Sequence, residues 1–250
     1  MSFGGQRIVV TAGGSGIGAC LVRRYLAEGA RVAYCDLAPG SAPEGALGVK
    51  ADVTNEAQMA AFFAEAERFL GGVDVLCANA GTGGPAAPLA DMDFEPWKAC
   101  IAANLDGAFL ACRWAAQRMT AQGSGAIVLT SSTSGQWGVP TRAPYVAAKW
   151  GILGLMKTLA MELGPSGVRV NAICPGAVEG DRMERVIAME AAARGVPEES
   201  VRALYAQGTS LRTWVTADDL ADTILFLTSP KGAKISGQAI AVDGHTERMT

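Results

Sequence analysis

The chain has 250 residues, half of them hydrophobic and 18% charged, enough apolar surface for one α/β domain with a large core. A net charge of -3 gives no attraction to phosphate backbones or anionic lipid, which excludes nucleic acid and membrane as expected partners. No apolar run reaches the roughly 20 residues that span a bilayer, and Met1-Ser2-Phe3-Gly4-Gly5 has neither block of a signal peptide, so a cytoplasmic protein is expected.

Short β-branched runs at 7–11, 31–35, 47–51, 73–77, 126–130, 168–174 and 238–242 alternate with helical patterns near 17–28, 55–70, 92–121, 143–163 and 216–228. Strands that are apolar on both faces and separated by crossovers predict an α/β fold, a Rossmann-like doubly wound parallel sheet of seven strands with helices on both faces. No linker or repeat interrupts it, so residues 1–250 read as a single domain. The stretch 179–215 has helical composition but no strand, and it follows the sixth strand, where ligands bind in such sheets, so it is expected to be a substrate-binding lid. Six scattered cysteines (Cys20, Cys35, Cys77, Cys100, Cys112 and Cys174) form no C-x-x-C and read as buried reduced thiols. With His245 the single histidine, neither a metal site nor a histidine-based triad is expected.

The first strand runs into Thr11-Ala12-Gly13-Gly14-Ser15-Gly16-Ile17-Gly18 and then a helix. Glycines there let backbone approach a pyrophosphate, and the helix N-terminus presents N–H groups to it; the alternative is a tight turn without a ligand. Asp36 ends the second strand, where a carboxylate accepts from both hydroxyls of an adenosine ribose and repels a 2′-phosphate, so NAD is expected rather than NADP.

Tyr145 and Lys149 lie four apart in a helical segment and leave the same face, where the ammonium favours phenolate and lets the tyrosine exchange protons with an alcohol or ketone. Ser132, at the tip of the fifth strand, adds a hydroxyl that binds the substrate oxygen. Alone, such a pair also fits a half-buried tyrosine followed by a surface lysine.

In order and spacing, the glycine turn at 11–18, Asp52-Val53, Asn79-Ala80-Gly81, Asn104, Ser132, Tyr145-x-x-x-Lys149 and Pro175-Gly176 resemble the short-chain dehydrogenase/reductase family over nearly the whole chain. The resemblance implies that Ser15, Gly16, Ile17 and Gly18 hold the pyrophosphate and that Asp52 and Val53 meet the adenine, although Asp52 also fits a helix cap with Thr54. It implies that Asn79, Ala80 and Gly81 lie against the ribose, unless they form a simple turn. Asn104 would hold a water near Lys149, or would be a solvated helix residue. Tyr145 and Lys149 would also touch the cofactor, and Pro175, Gly176 and Val178 would meet the nicotinamide. Two positions depart from the family pattern. Ala12 replaces a glycine and must take a conformation open to a methyl-bearing residue, and Gly180 replaces a threonine that helps hold the carboxamide.

The expected activity is NAD-dependent interconversion of a polar secondary alcohol, such as a hydroxy acid or sugar derivative, and its ketone. The alternatives are a 3-oxoacyl-thioester reductase and a nucleotide-sensing regulator without turnover. Candidate substrate contacts are Trp137, Arg182 and Trp214, with Arg185 and Arg212 as further cations for an anionic group; the acidic residues around these arginines equally suit a solvated helix face. The resemblance also implies a homotetramer built from the helices at 92–121 and 143–163 and the C-terminal strand. His245 and the tail beyond it are expected at a subunit contact or in solvent.

Overall fold

A computed structural model describes residues 2–247, so the end of the tail, 248–250, lies outside the described residues. The strands are β1 (Arg7–Thr11), β2 (Arg31–Asp36), β3 (Ala46–Lys50), β4 (Val75–Ala78), β5 (Gly125–Thr130), β6 (Val168–Pro175) and β7 (Ala239–Val242). All pair in parallel, in the order β3-β2-β1-β4-β5-β6-β7. The helices are α1 (Gly16–Ala27), α2 (Glu56–Leu70), α3 (Phe94–Ile101), α4 (Gly107–Gln122), α5 (Ala143–Leu163), α6 (Asp181–Arg194), α7 (Glu198–Gln207) and α8 (Ala217–Thr228).

Strand side chains alternate faces with period two, and here both faces are apolar. Val9, Ala33, Leu76 and Ile127 pack against Met59 and Phe62 of α2, Ala111 of α4, and Ile152 and Met156 of α5. Their strand neighbours Ile8, Val10, Val32, Val75 and Val128 pack against Leu21 and Tyr25 of α1 and Leu220 and Ile224 of α8. Each such buried aliphatic side chain contributes about 1.5–3 kcal/mol, against about 0–1 kcal/mol for a surface ion pair, so this two-faced burial holds the layers together. Strand order reverses at β1, which opens a crevice above the carboxyl ends of β1 and β4.

The single helix expected over 92–121 runs continuously from Phe94 to Gln122, but it is not regular throughout. A π-helical turn, Ala102–Asp106, separates α3 from α4. The Asn104 side-chain amide donates to the Cys100 carbonyl at 2.9 Å, the acceptor that its own backbone N–H would use in an α-helix, and so competes with the regular ladder. β4 begins at Val75 rather than Val73, because Asp74 is drawn aside by Arg7, whose Nε and Nη2 donate to its carboxylate at 2.9 and 2.6 Å. β3 starts one residue earlier than expected, at Ala46, which pairs with Val32 of β2.

The insertion after β6 carries α6 and α7 and no strand of its own. Its ends are pinned together: Glu179 N–H donates to the Val215 carbonyl at 2.8 Å and Val215 N–H to the Ala177 carbonyl at 3.1 Å. A small core of Ile187, Ala191 and Val201, with Met183, Tyr205 and Trp214 against it, gives the insertion its own packing.

Candidate active site

β1 delivers the glycine turn to the crevice. The Thr11 hydroxyl accepts from the N–H groups of Asn79 and Ala80, both at 3.0 Å, and so locks the end of β1 to the end of β4. Ala12 has φ 55°, so the position keeps the left-handed form that suits glycine and carries a methyl there, at a cost of about 1–2 kcal/mol. A side chain at Gly18 would begin 1.9 Å from the Ala12 carbonyl oxygen, so only glycine lets α1 approach the turn this closely. Ser15 makes no side-chain bond to the start of α1 and no acid occupies the first turn, whereas Asn55 caps α2 and Thr216 with Asp219 caps α8. The N–H groups at Ser15, Gly16, Ile17 and Gly18 therefore fit an anionic pyrophosphate.

Asp36 is fixed beside this turn, accepting from Gly14 N–H at 2.9 Å on one oxygen and from Ala38 N–H at 3.0 Å on the other. Each oxygen keeps a lone pair for a ribose hydroxyl. Asp52 uses one oxygen in a turn with Thr54, whose N–H and hydroxyl donate at 2.9 and 2.7 Å; the helix cap itself is Asn55. Val53 presses on α4, and a side chain at Gly107 would begin 2.9 Å from its Cβ. The Asn79 side chain is spent on the sheet, donating to the Thr11 and Ala12 carbonyls and accepting from the Thr130 hydroxyl at 3.3 Å. What remains to face a ribose is the backbone of Ala80 and Gly81. On the far side, Gly176 N–H donates to the Val242 carbonyl and a side chain there would begin 2.8 Å from the Asp243 Cα, while Pro175 ends β6 and Val178 bridges Val215. Gly180, φ 133°, precedes α6 in a conformation that would strain the family's threonine.

Ser132, Tyr145 and Lys149 converge above β5. Ser132 is buried, and its Oγ accepts from Ser134 N–H at 3.1 Å. Lys149 is buried; its Nζ donates to the Thr130 carbonyl at 2.9 Å and stands 5.5 Å from the Tyr145 ring centroid. The Ser131 hydroxyl donates to the Lys149 carbonyl at 2.8 Å, pinning α5 to the tip of β5. Burial alone pushes the Tyr145 phenol up, but Lys149, Arg182, the Ser132 hydroxyl and Arg142 together outweigh it and hold it below the ordinary tyrosine value. Burial pushes the Lys149 ammonium down; Tyr145 opposes this and Arg182 adds to it.

Asn104 is buried in the π-helical turn, with its amide nitrogen donating to Thr82 and Cys100 carbonyls at 3.0 and 2.9 Å. Its Oδ1 is buried without a partner and, with Lys149 Nζ, flanks Gly81: a Cβ there would begin 2.4 Å from the oxygen and 3.3 Å from the ammonium. An orphaned acceptor beside a buried cation fits a water or a ligand hydroxyl.

Of the substrate candidates, Trp137 lines an open cleft of about 630 Å³ with Ser210, Leu211, Asp243 and His245. His245 Nδ1 is 2.9 Å from the Ser210 hydroxyl, so it joins the insertion to the C-terminal turn. Trp214 packs within the insertion, against Tyr205 at 5.9 Å and under Arg202. Arg212 turns to the Gln207 carbonyl and Glu247, and Arg185 stays exposed on α6. Arg182 alone of the three reaches Tyr145, at 5.9 Å from its ring centroid. Arg142, which ends the stretch 133–142 that the sequence offers as pocket lining but is given no anion-binding role there, is closer at 5.2 Å; the available signal was a cation one helical turn before Tyr145.

Residues 11–245 match the family described as Enoyl-(Acyl carrier protein) reductase. The chain is 36% identical over 248 residues to 2-(S)-hydroxypropyl-CoM dehydrogenase 3 of Xanthobacter autotrophicus, covering 95% of this chain and 94% of that protein. It is 35% identical over 252 residues to cis-4-hydroxycyclohexanecarboxylate dehydrogenase of Sinomonas cyclohexanicum, covering 97% of each. Among solved structures, NAD+-bound xylitol dehydrogenase superposes with a TM-score of 0.92 at 26% identity, covering 98% of this chain and 100% of that one.

Proposed function

The chain belongs to the short-chain dehydrogenase/reductase family and is an oxidoreductase of CH–OH groups, and from that premise we propose that it interconverts a polar secondary alcohol and its ketone with NAD. The observation that carries this reading is the convergence of Ser132, Tyr145 and Lys149 at the tip of β5, with the buried Lys149 ammonium 5.5 Å from the Tyr145 ring centroid and held there by the Thr130 carbonyl. In oxidation the Tyr145 phenolate takes the hydroxyl proton while the Ser132 hydroxyl holds the substrate oxygen. Lys149 keeps the phenolate ionised, and Asn104 Oδ1 positions a water that passes the proton outward. In reduction Tyr145 donates that proton, and Ser132 stabilises the charge growing on the oxygen. A bound nicotinamide supplies the two-electron acceptor or donor for the carbinol carbon.

Ser15, Gly16, Ile17 and Gly18 would hold the pyrophosphate, Asp36 the adenosine ribose, and Asp52 and Val53 the adenine. The Ala80 and Gly81 backbone would lie along the dinucleotide, with Asn79 fixing the turn, and Tyr145 and Lys149 would reach the second ribose. Pro175, Gly176 and Val178 would border the nicotinamide. The choice of NAD over NADP rests on the Asp36 carboxylate, with Leu37, 64% exposed, offering no cation to a 2′-phosphate. The insertion at 179–215 would close over the substrate as a lid. Six free buried thiols suit a reducing cytoplasm, and exposed Phe109, Trp150 and Met161 on α4 and α5 suit burial in a homotetramer.

The test is a panel of secondary alcohols and hydroxy acids with NAD and with NADP, read by absorbance of the reduced cofactor, alongside an acetoacetyl thioester with NADPH. Turnover with NAD on alcohols, and a relaxed preference against NADP in Asp36→Ala, support the reading. Turnover confined to the thioester and NADPH would replace it with the 3-oxoacyl-thioester reductase reading.

A further inference from the structure

We propose that Arg142 and Arg182 form a two-armed clamp for a carboxylate on the substrate, so that the alcohol oxidised here is a short hydroxy acid; this rests on the dehydrogenase reading above. The two guanidinium groups come from different elements. Arg142 immediately precedes α5, three residues before Tyr145, and Arg182 lies in the first turn of α6, at the base of the insertion. They nevertheless converge, at 5.2 and 5.9 Å from the Tyr145 ring centroid. Both also face Gly83, where a Cβ would begin 3.4 Å from Nη2 of Arg142 and 3.8 Å from Nη2 of Arg182.

Neither arginine pairs with a carboxylate among the described residues, whereas Arg24, Arg113, Arg118 and Arg202 all do. Apart from the Tyr145 phenolate that both approach, the two guanidinium groups have no anionic partner among the described residues, and their mutual repulsion favours a further anion beside them. Arg142 uses Nη2 on the Gly83 carbonyl at 2.7 Å, and its Nε is buried with no partner, a donor that burial makes costly to leave unsatisfied. The residue that delivers it, Thr141, sits at φ 65°, a region a β-branched residue rarely adopts, and its carbonyl is held by Ala87 N–H at 3.0 Å. A carboxylate offers two oxygens to the two forks and satisfies the buried donor. Because both arms abut the tyrosine that takes the hydroxyl proton, acid group and carbinol must be only a few bonds apart.

The experiment has a kinetic arm and a binding arm, both on the full chain with NAD. In the first, 3-hydroxybutyrate is compared with its methyl ester, and 4-hydroxycyclohexanecarboxylate with cyclohexanol. The acid is expected to exceed its neutral partner in kcat/KM by at least about 10-fold, mostly through KM, and Arg182→Met to collapse that ratio toward one. The ratio is read within each enzyme, so a general loss of rate in the variant cancels. In the second arm, titration calorimetry with cyclohexanecarboxylate and its amide should show binding of the acid only, lost in Arg182→Met and retained at least in part in Arg142→Lys. Arg182 is exposed, so its replacement is compatible with folding, which far-UV circular dichroism checks. Neutral alcohols turned over as well as acids, or carboxylate and amide binding alike, overturn the clamp and leave the dehydrogenase standing. Carboxylate binding that Arg182→Met abolishes, with no alcohol in either pair oxidised, keeps the clamp and overturns the dehydrogenase.

Discussion

Replacing Ala12 with glycine should stabilise the protein, against the usual direction for a glycine substitution. At φ 55° the alanine Cβ crowds its own backbone, a penalty of about 1–2 kcal/mol that glycine does not bear. Glycine in turn gains freedom in the unfolded chain worth about 0.4–1 kcal/mol. The difference leaves Ala12→Gly more stable by about 0.5–1 kcal/mol, which for a chain of this length raises Tm by about 1–4 °C. Thermal unfolding followed by circular dichroism, in one buffer and without cofactor, reads this directly, and Ala12→Val should move the opposite way because its branched side chain tolerates the left-handed region least. NAD affinity should remain within a few-fold of the parent, since the turn already has the shape glycine prefers. An unchanged or lowered Tm in Ala12→Gly would mean that the turn does not hold position 12 in the left-handed form.

Gly18→Ala should do the reverse, because its Cβ would begin 1.9 Å from the Ala12 carbonyl oxygen and 2.9 Å from Asn79 Nδ2; a destabilisation of about 1–3 kcal/mol and a weakening of NAD binding are expected by calorimetry. Burial pushes the Asp74 carboxyl up, but the hydrogen bonds from Arg7 outweigh it and hold it below the ordinary carboxylate value. Its stabilising contribution is therefore full above about pH 4 and lost as pH falls through the lower folded value, so the stability gap between parent and Asp74→Asn should close on acidification in urea titrations. Oxidation requires the Tyr145 phenolate, so kcat/KM should rise with pH and level off above the tyrosine's lowered value; Arg182→Met removes one of the cations that lower it and should shift that rising limb to higher pH.

The sheet was legible because each strand carries apolar residues on both faces, a pattern that depends on the strand alone. Ser132, Tyr145 and Lys149 were legible for a related reason: helical spacing puts two of them on one face, and a strand tip supplies the third. The π-helical turn at Asn104 was not, since it depends on a side-chain amide turning back to the Cys100 carbonyl and across to Thr82 on a different loop. Asp52 was half legible, because the cap it seemed to offer α2 is made by Asn55. Arg142 and Arg182 belong to separate elements, and only the folding of the insertion back over α5 brings them to the same tyrosine. Trp214 shows the converse: an aromatic residue at the expected place in the chain that the insertion keeps for its own core.

The most direct measurement is NAD-dependent turnover of Tyr145→Phe on whichever alcohol the parent oxidises, with NAD affinity measured on the same preparation. Only one hydroxyl is removed, so turnover should fall by about 10²-fold or more while NAD affinity stays within a few-fold. Turnover equal to the parent's would contradict the assignment of Tyr145 as the group that carries the proton.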